Sequence, residues 1–402
     1  MIDVVAWSEK PTVLAVMGTR PEAIKLAPVV RALGSMRDIS VRIVATGQHR
    51  EMLRQVLTVF DLAPDHDLDV MEPDQTLAGL TSRLLSGLDR VLGVEAPGLV
   101  LVQGDTTTAF AAALAAFYRG IPVGHVEAGL RTDNPRAPFP EELNRRMVGK
   151  LATWHFAPTE TAREALLREG VSEESVVVTG NTVIDALYEV LATAAPCLAL
   201  GPAPGRRLVL VTAHRRESFG APFEALCRAI RRIADLHPDV EVWYPVHLNP
   251  KVREPVERIL SDHARIRLLG PLDYVSFSHL LARSHLLLTD SGGIQEEAPA
   301  LGKPVLVMRE TTERPEAVAA GVAELVGTDE ERIVARASRL LSDAVAYRSM
   351  ARGVSPYGDG LAARRIAAHV RRTLAGSAGS DDGRTDDRVL APDDVGEERR
   401  TA

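Results

Sequence analysis

The chain has 402 residues, of which 46% are hydrophobic and 25% charged, and its formal net charge is −7. This is the composition of an ordinary globular protein with enough length for two domains. Eight acidic residues and four arginines after Ser377 place −4 of that charge in the tail. The nearly neutral body gives no electrostatic reason to expect binding to nucleic acid or to an anionic membrane.

Cysteine use and hydropathy exclude further classes of protein. The two cysteines, Cys197 and Cys227, form no CxxC motif and belong to no cluster with histidines. We therefore expect neither a disulfide framework nor a structural zinc site, which suits a reducing cytoplasm. No apolar run reaches the roughly 18 residues of a membrane span, and the N-terminus lacks a basic region followed by a long apolar stretch. The sequence predicts no membrane span and no signal peptide.

After an N-terminal extension that ends at Pro11, apolar strands alternate with helices. Strands are predicted at residues 12–17, 41–45, 99–103, 123–125, 155–158 and 176–179, and helices follow the first three at about 22–36, up to 60 and up to 119. Continuous apolar strands separated by helices predict a parallel sheet that is covered on both faces. Ligands of such sheets bind at the carboxyl ends of the strands.

The same pattern starts again after a Pro/Gly/Ala-rich connection at residues 192–205. Strands are predicted at 208–212, 240–246, 266–269, 286–289 and 304–308, and a last helix at about 361–373 is expected to cross back onto the first domain. The fold class is therefore α/β, with two Rossmann-like domains that face each other across a cleft, the default position for a site. From Gly376 onward the tail lacks apolar periodicity and is predicted to be disordered.

The stretch 286–301, which reads LLLTDSGGIQEEAPAL, carries the first site prediction. Gly292 and Gly293, at a strand-to-helix turn, let a ligand approach the backbone, and the free N–H groups of the helix favour an anion. The oxygens of Gln295, Glu296 and Glu297 suit sugar hydroxyls. The alternative interpretation is a glycine-rich turn before a solvated acidic helix, and the stretch alone does not separate the two.

Polar groups also follow the strands of the first half. Arg20 and Lys25 are placed to reach a phosphate, although a surface pair beside a capped helix is the alternative. Only five of the 47 basic residues are lysines, so a bias in composition does not account for Lys25. Asp105 is either a site carboxylate or the N-cap of the next helix. Glu127 lies in a mostly apolar segment, where an unpaired carboxylate would be costly.

Three further clusters complete the candidates. Glu141 and Arg145, at a helix start, either serve the site or form an i,i+4 pair. The sequence His-Arg-Arg from His214 is suited to clamp an anion, although a lone histidine is more often structural. Arg314 follows another strand and is available for a phosphate or a ribose. No P-loop, no GxGxxG with a distal acid and no Ser/His/Asp or Cys/His nucleophile signature is present, so these patterns leave substrate and reaction open.

A series of longer motifs runs in order along the chain: GTRPEAIK, GQHREML, GDTTT, HVEAGLRT, PEELNR, GNTVIDAL, HRRESFG, YPVHLNP, TDSGGIQEEAP, GKPVLVMRETTERPEA and SPYGDG. Together they resemble the bacterial non-hydrolysing UDP-N-acetylglucosamine 2-epimerase family, from about Thr12 to the final helix. The resemblance implies a GT-B-like arrangement. Residues 1–179 and a returning helix at 358–375 would form the N-terminal domain, 180–357 the UDP-binding C-terminal domain, and 376–402 a disordered tail.

The resemblance implies reversible interconversion of UDP-GlcNAc and UDP-ManNAc, with no metal and no other cofactor. UDP would be eliminated across C1–C2 to give 2-acetamidoglucal, and it would be added back after C2 is reprotonated on the other face. The product would supply ManNAc-type sugars for cell-surface polysaccharide. Such a reaction needs groups that stabilise departing UDP and two acid/base groups that exchange the C2 proton.

The same resemblance implies a role for each matching residue. The catalytic groups would be Asp105, Glu127, Glu141 and His214. The sugar–phosphate site would contain Arg20, Lys25 and Arg145, and the nucleotide would be held by Phe277 near the uracil, Ser291, Gly292 and Gly293 at the phosphates, Glu297 at the ribose, and Arg314. A second, allosteric site for UDP-GlcNAc as an activator would contain Gln48, His49, Arg215 and His247. Because clustered carboxylates repel each other, at least one of them should have a raised pKa.

The resemblance also implies a homodimer, which nothing in the sequence itself indicates. The chain departs from the family pattern in its N-terminal extension, its acidic tail and the segment 132–137 before PFPEE. Three other functions stay open: a UDP-sugar glycosyltransferase of the same fold, a hydrolysing epimerase that releases free ManNAc, and a non-catalytic nucleotide-sugar sensor. The acids of the HVEAG and PEE segments favour epimerisation.

Overall fold

The computed structural model describes residues 10–47, 50–72, 74–132, 134–136, 138–196 and 201–378. Within these ranges the chain forms two parallel sheets, one of seven strands and one of six, with helices between successive strands. The predicted α/β class with two Rossmann-like units is therefore confirmed. We call the part built on the seven-stranded sheet the N-terminal lobe and the part built on the six-stranded sheet the C-terminal lobe.

The helices and strands have the following bounds. The N-terminal lobe contains β1 (Thr12–Met17), α1 (Arg20–Gly34), β2 (Ser40–Ala45), α2 (Arg50–Val59), β3 (His66–Asp67), α3 (Leu77–Glu95), β4 (Leu99–Gln103), α4 (Thr107–Tyr118), β5 (Val123–Val126), α5 (Glu141–Leu151), β6 (Trp154–Ala157), α6 (Glu160–Arg168) and β7 (Val176–Val178), and α7 (Thr182–Thr193) follows. The C-terminal lobe contains β8 (Arg207–Thr212), α8 (Ala221–Leu236), β9 (Val240–Pro245), α9 (Pro250–Leu260), β10 (Ile266–Leu269), α10 (Tyr274–Arg283), β11 (Leu286–Thr289), α11 (Gly292–Ala300), β12 (Val305–Val307), α12 (Pro315–Ala319), β13 (Ala323–Leu325), α13 (Glu330–Ser342) and α14 (Ala344–Met350). The last helix is α15 (Ala362–Ala378).

The strand order explains where a ligand can enter. The order is β3-β2-β1-β4-β5-β6-β7 in the N-terminal lobe and β10-β9-β8-β11-β12-β13 in the C-terminal lobe. In each sheet the winding reverses between two neighbouring strands, β1 with β4 and β8 with β11. The loops that follow such a pair diverge to opposite faces and leave a crevice at the carboxyl edge of the sheet. Each lobe therefore has one crevice, at the end where the sequence places its polar clusters.

The core follows from the apolar strands. Residues 99–102 of β4 are at most 2% exposed, because helices cover both faces of the sheet. Helix α8 shows the matching pattern in a helix: Phe223, Leu226, Ile230 and Ile233 are buried, whereas the arginines of the opposite face pair with acids at the surface. Burial of each such large apolar side chain contributes about 1.5–3 kcal/mol.

Helix α15 returns to the N-terminal lobe, as predicted. It packs on α1 and α7 and buries Ile366 and Val370 in the core of that lobe. The backbone amides of Ala362 and Ala363 donate to the buried carboxylate of Asp185 in α7, at 3.2 and 2.9 Å. The helix extends to Ala378, beyond its predicted end near residue 373.

The domain boundaries themselves stay predictions, because α7 contacts α1 on one side and α10 and α11 on the other. The sequence missed β3 and β13, which have two and three residues, and it assigned no helix where α3 lies. The predicted disorder of the tail concerns residues that, after residue 378, lie outside the described ranges, as does the extension before residue 10. No helix within the described ranges is long and apolar enough to cross a membrane.

Candidate active site

A cavity of about 470 Å³ lies between the two lobes, at the carboxyl edges of both sheets. Its walls include the loops after β1, β8 and β11. Predicted site residues from both halves of the sequence line it, namely Arg20, Lys25, His214, His247, Phe277, Ser291, Gly293, Glu297 and Arg314. Several strand-end clusters that the sequence singled out separately therefore converge on one cavity. Its lining does not include the predicted site residues Asp105, Glu127, Glu141, Arg145 and Gly292.

The turn after β5 places Glu127 against Lys25. Oε2 of Glu127 pairs with Nζ of Lys25 and accepts a hydrogen bond of 2.9 Å from Nε2 of Gln103. The side chains of Lys25 and Glu127 are 16% and 7% exposed, so the two charges neutralise each other largely out of water. Burial opposes ionisation, but the positive charges of Lys25 and Arg314 hold the pKa of Glu127 below its usual range. Lys25 is therefore not the surface cation of the alternative interpretation.

The backbone of Glu127 is strained. Its φ is +64°, in the left-handed region that non-glycine residues seldom adopt. Such a conformation costs about 1–3 kcal/mol and persists where the surrounding structure imposes it, most often at functional sites. Its contacts and its backbone together support a functional interpretation of Glu127.

Asp105 lies in the turn after β4 and pairs with Arg145 of α5. Thr106, not Asp105, caps α4, because its Oγ1 accepts a backbone amide of the first turn at 3.0 Å. The capping alternative is therefore wrong. Burial raises the pKa of Asp105, and the negative charges of Glu127 and Glu141 add to that rise against the opposing charge of Arg145. The expected carboxylate with a raised pKa is present, with burial rather than repulsion as the larger cause.

Glu141 and Arg145, in the first turns of α5, do not form the i,i+4 ion pair that was the alternative interpretation. Arg145 pairs with Asp105 and lies 3.5 Å from Oε2 of Glu142, so the i,i+4 pairing of Arg145 with Glu141 is wrong. Glu142 is fully buried and accepts the backbone amide of Thr132 at 3.0 Å. This contact holds the loop that precedes α5 against the helix. Glu141 is half-buried at the first position of α5, where its charge acts on Asp105.

A buried carboxylate that the sequence did not single out connects the loops after β1 and β4. Glu22 is 1% exposed, and it accepts the backbone amides of Gly18 and Thr19 at 3.0 and 2.7 Å. Oγ1 of Thr106 donates to its other oxygen at 2.6 Å. Glu22 therefore fixes the loop of Arg20 relative to the turn of Asp105.

In the C-terminal lobe, α11 begins at Gly292, directly after β11 and Ser291. A Cβ atom added at Gly292 would lie 3.9 Å from Nη2 of Arg215 and 4.0 Å from Cζ of Arg314. Two guanidinium groups therefore converge on the first turn of α11, where the Ser291 side chain makes no capping hydrogen bond. Free amides, the helix dipole and two guanidiniums suit a diphosphate. Arg215, predicted for the second site, thus also reaches the predicted phosphate position.

The polar residues of α11 are not a solvated face. Gln295, Glu296 and Glu297 are at most 6% exposed, so that alternative is wrong. Oε1 of Gln295 accepts the hydroxyl of Thr312 at 2.6 Å, and its amide is thereby engaged within the lobe rather than offered to a sugar. Glu296 pairs with Arg314. Of the three, Glu296 and Glu297 line the cavity.

Glu297 should make stability depend on pH. Burial raises its pKa to about 7 from 4.5, against the lowering effect of the hydrogen bond from Tyr274. The folded protein therefore binds this proton more tightly than the unfolded chain does. The protonated carboxyl group of Glu297 therefore contributes about 3 kcal/mol to the free energy of unfolding. This contribution is fully present below pH 4.5 and is lost as the pH rises through 7.

We expect the Glu297→Gln variant, which mimics the protonated side chain, to escape this loss. Between pH 5 and 8.5, the melting temperature of the wild type should fall relative to that of the variant. Differential scanning calorimetry of both proteins measures the gap. A gap that does not change with pH would contradict the raised pKa.

His214 lies at the end of β8, beside the buried Asp290. Oδ2 of Asp290 accepts the backbone amides of His214 and Arg215 at 2.6 and 2.7 Å, and its Oδ1 lies 3.7 Å from Nδ1 of His214. The ring of His214 stacks on that of His247, with 5.3 Å between centroids. Burial lowers the pKa of His214, against the charge of Asp290. His214 is thus held mainly neutral, with a carboxylate beside one ring nitrogen.

A second cavity of about 440 Å³ adjoins this histidine pair. It is lined by His214, Arg215, Arg216, Glu217, His247 and Asn249. Two of the residues predicted for an allosteric site, Arg215 and His247, therefore lie together, whereas Gln48 and His49 lie outside the described residues. No group of three or more His, Cys, Asp or Glu side chains within the described ranges is arranged to hold a metal ion.

Comparison with known proteins adds independent evidence. The family model described as UDP-N-acetylglucosamine 2-epimerase matches residues 31–371. The UDP-N-acetylglucosamine 2-epimerase of Escherichia coli K12 is 53% identical over 367 residues, which is 88% of this chain and 96% of that protein. The Neisseria meningitidis UDP-GlcNAc 2-epimerase, solved bound to UDP-GlcNAc, is 46% identical with a TM-score of 0.82 and covers 90% of this chain and 100% of its own.

A more distant structural neighbour bears on the fold alone. The glycotransferase of kitacinnamycin is 14% identical with a TM-score of 0.62, and covers 91% of this chain and 100% of its own. The two-lobed α/β fold is thus shared with a transferase. The match over most of the chain and the identity to the E. coli protein show that this chain belongs to the UDP-N-acetylglucosamine 2-epimerase family of enzymes.

Proposed function

We propose that the chain catalyses the reversible C2 epimerisation of UDP-GlcNAc and UDP-ManNAc by elimination and re-addition of UDP. The observation that carries the proposal is the pairing of two unlike surfaces across one cavity. On the N-terminal side, Lys25 lines the cavity and pairs with the carboxylate of Glu127, and the charges of both act on Asp105. On the C-terminal side, Ser291 and Gly293 of the lining belong to the cationic first turn of α11. An elimination that expels a diphosphate from a sugar needs both.

In the elimination step, a base takes the proton from C2, and the electrons of the C–H bond form the C1=C2 double bond. The C1–O bond breaks, and its electron pair leaves with UDP. The amides of α11 and the guanidinium of Arg314 are suited to stabilise the diphosphate as its charge grows. UDP then adds back to 2-acetamidoglucal after C2 has been protonated on the opposite face.

The two faces of C2 require two groups in opposite protonation states. The lowered pKa of Glu127 suits a group that accepts the proton, and the raised pKa of Asp105 suits a group that returns one. Glu141 and His214 complete the proposed catalytic set. Around them we propose Arg20, Lys25 and Arg145 for the sugar–phosphate, Phe277 for the uracil, Ser291, Gly292 and Gly293 for the phosphates, Glu297 for the ribose and Arg314 for the nucleotide.

Proton NMR of the purified protein with UDP-GlcNAc in deuterated buffer tests the function. We expect UDP-ManNAc to appear and deuterium to enter C2 of both epimers. Free ManNAc with UDP would instead identify the hydrolysing reaction. If the spectrum does not change, even with UDP-GlcNAc in excess, epimerisation is contradicted and the transferase or sensor function takes its place.

We further propose that UDP-GlcNAc activates the enzyme by binding in the cavity lined by Arg215 and His247. Gln48 and His49, which lie outside the described residues, stay predicted contacts of this activator. The same assay, started from UDP-ManNAc alone, should show a lag that added UDP-GlcNAc removes. Hyperbolic kinetics without a lag would contradict activation. We also propose a cytoplasmic homodimer that supplies ManNAc-type sugars for cell-surface polysaccharide, and light scattering after size exclusion tests the dimer through its mass.

A further inference from the structure

Two chain segments connect the lobes, and they touch each other. The segment before α7 passes through Gly180, at φ +87°, and the segment before α15 passes through Gly358, at φ +139°. A Cβ atom on Gly180 would lie 3.1 Å from Cα of Gly358, so the close approach requires glycine. The backbone amide of Asn181 donates to the carbonyl of Tyr357 at 2.6 Å and joins the two segments. Any change in the angle between the lobes must involve this point.

The side chain of Asn181 starts at this connection and reaches the site. It is 2% exposed, and its Oδ1 caps α7 by accepting the amide of Val183 at 3.1 Å. Its Nδ2 donates to Oε2 of Glu296 at 2.6 Å and to Oε2 of Glu127 at 3.3 Å. A carboxamide has one acceptor oxygen and two N–H groups, and in Asn181 the oxygen and both N–H groups form hydrogen bonds.

The two acceptors belong to different lobes, and each of them also pairs with a cation of its own lobe. Glu127 follows β5 in the N-terminal lobe and pairs with Lys25, and Glu296 belongs to α11 in the C-terminal lobe and pairs with Arg314. Asn181 is the neutral group between the two carboxylates. Without its N–H donors, two buried carboxylates would face each other with no hydrogen bond between them, which is unfavourable.

The hydrogen bonds to Glu127 indicate what the side-chain amide of Asn181 does. Lys25, Gln103 and Asn181 all approach the same oxygen, Oε2. Three donors on one oxygen fix the rotation of the carboxylate, and Oε1 is the oxygen that none of these three donors contacts. The orientation of the Glu127 carboxylate beside Lys25, which lines the cavity, thus depends in part on a residue that is anchored between the lobes.

We propose that Asn181, at the crossing of the two connecting segments, is a positioning residue that orients Glu127 and couples this orientation to the relative position of the lobes through Glu296. The expected effect on kcat rests on the proposed function, whereas the coupling of Glu296 to Glu127 through Asn181 can be tested by UDP binding alone. When UDP draws the first turn of α11 toward the N-terminal lobe, Glu296 moves with it. The shared amide then transmits this movement to Glu127.

The variant that isolates the amide is Asn181→Ser. Serine still caps α7, but it lacks the two N–H donors. We expect kcat for epimerisation to fall about 10- to 100-fold, which is the effect of removing the hydrogen-bond partner that orients a metal ligand. The acid limb of the pH–rate profile should move to higher pH, because Glu127 loses a donor to its ionised form. The isosteric Asn181→Asp should shift that limb further, since it adds a third carboxylate.

Asp329→Ser provides a matched control, because Asp329 caps α13 by accepting the amide of Arg332 at 2.8 Å and does not line the cavity. It should keep the wild-type kcat and pH profile. If Asn181→Ser lowers only the melting temperature and leaves kcat and the acid limb unchanged, its role is structural and the proposal is overturned.

Hydrogen–deuterium exchange of the full chain with and without UDP tests the coupling independently of catalysis. In the wild type, UDP should slow exchange both at residues 292–300 and at the Glu127 turn, residues 124–130. In Asn181→Ser, we expect protection at 292–300 to remain and protection at 124–130 to be lost. Equal protection of both segments in the two proteins would overturn the proposal. A wild type that shows this coupling but forms no UDP-ManNAc would contradict the proposed function alone.

Discussion

Replacement of Glu127 with glutamine is expected to lower kcat for epimerisation about 10²- to 10⁴-fold, the usual contribution of one positioned acid/base group. Glutamine has nearly the shape of glutamate but cannot accept a proton from C2. UDP affinity should change far less, because the proposed contacts with the uracil, the ribose and most of the diphosphate come from the other lobe, which includes α11 and Arg314. Initial rates measured by NMR and UDP titration calorimetry give the two quantities separately.

The folded state of this variant has to be checked, because the ion pair between Glu127 and Lys25 is largely buried. Loss of one partner from a buried pair costs about 3–5 kcal/mol, so rates are compared well below the melting temperature of the variant. Glu189→Gln is the matched control: Glu189 pairs with Arg31 between α7 and α1, and neither residue lines the cavity. It should retain wild-type kcat. Wild-type kcat in Glu127→Gln would remove Glu127 from the acid/base set.

The opposite pKa shifts add a pH dependence to this prediction. Glu127 is held ionised by Lys25 and Arg314 despite its burial, whereas burial raises the pKa of Asp105. Because Glu127 has to be ionised and Asp105 protonated in the forward step, the rate should decline at both ends of the pH range. In Asp105→Asn the alkaline decline assigned to Asp105 should disappear together with most of the activity. A wild-type profile that is flat from pH 5 to 8 would contradict a carboxylate with a raised pKa in the reaction.

The sequence predicted the location of those candidate site residues whose position follows from local structure. Asp105 and Glu127 come directly after apolar strands, and in a parallel sheet the strand ends meet at one edge. Gly292 could be placed at a helix N-terminus for the same reason. The predictions were less accurate where the sequence had to indicate which side chains of a helix are available to a ligand. Gln295 and Glu296 were expected to be available to sugar hydroxyls, but α11 packs against α7 and β12, and both side chains bond within the protein.

Asn181 could not be found in this way. In the sequence it is a residue of the GNTVIDAL motif and is typical of a helix N-cap, a role it does have. Its contacts with Glu127 and Glu296 depend on how two chain segments, remote in sequence, cross at Gly180 and Gly358. Neither composition nor periodicity indicates where the two segments cross. The sequence around Asn181 therefore could not predict its contacts with Glu127 and Glu296.

Arg215 illustrates the same limit. It follows β8, whereas Gly292 follows β11, and these strands are neighbours at the point where the winding of the sheet reverses. The family resemblance predicted a role for each of the two residues, but in different sites. Their proximity follows from the strand order, which the sequence pattern alone did not specify.

Replacement of Gly292 with valine tests whether the first turn of α11 holds the diphosphate. In the free protein a Cβ atom there has room, since its nearest neighbours are Nη2 of Arg215 at 3.9 Å and Cζ of Arg314 at 4.0 Å. The fold should therefore tolerate the change. The valine methyl groups would occupy the space between the two guanidiniums, where we expect the phosphates to lie. Loss of two charge-assisted hydrogen bonds, at about 1.5–3 kcal/mol each, predicts a UDP affinity lower by about 100-fold or more.

Calorimetric titration with UDP measures this loss, and the melting temperature without UDP shows whether the protein is still folded. Gly34→Val is the matched control, because a Cβ atom at Gly34, at the end of α1, meets no atom within 4 Å and lies outside the cavity lining. It should bind UDP as the wild type does. If Gly292→Val also binds UDP with wild-type affinity, the diphosphate does not lie between Arg215 and Arg314. The departing charge would then have to be stabilised elsewhere in the cavity, and Arg20 and Lys25, on the opposite wall, are the cations to test next.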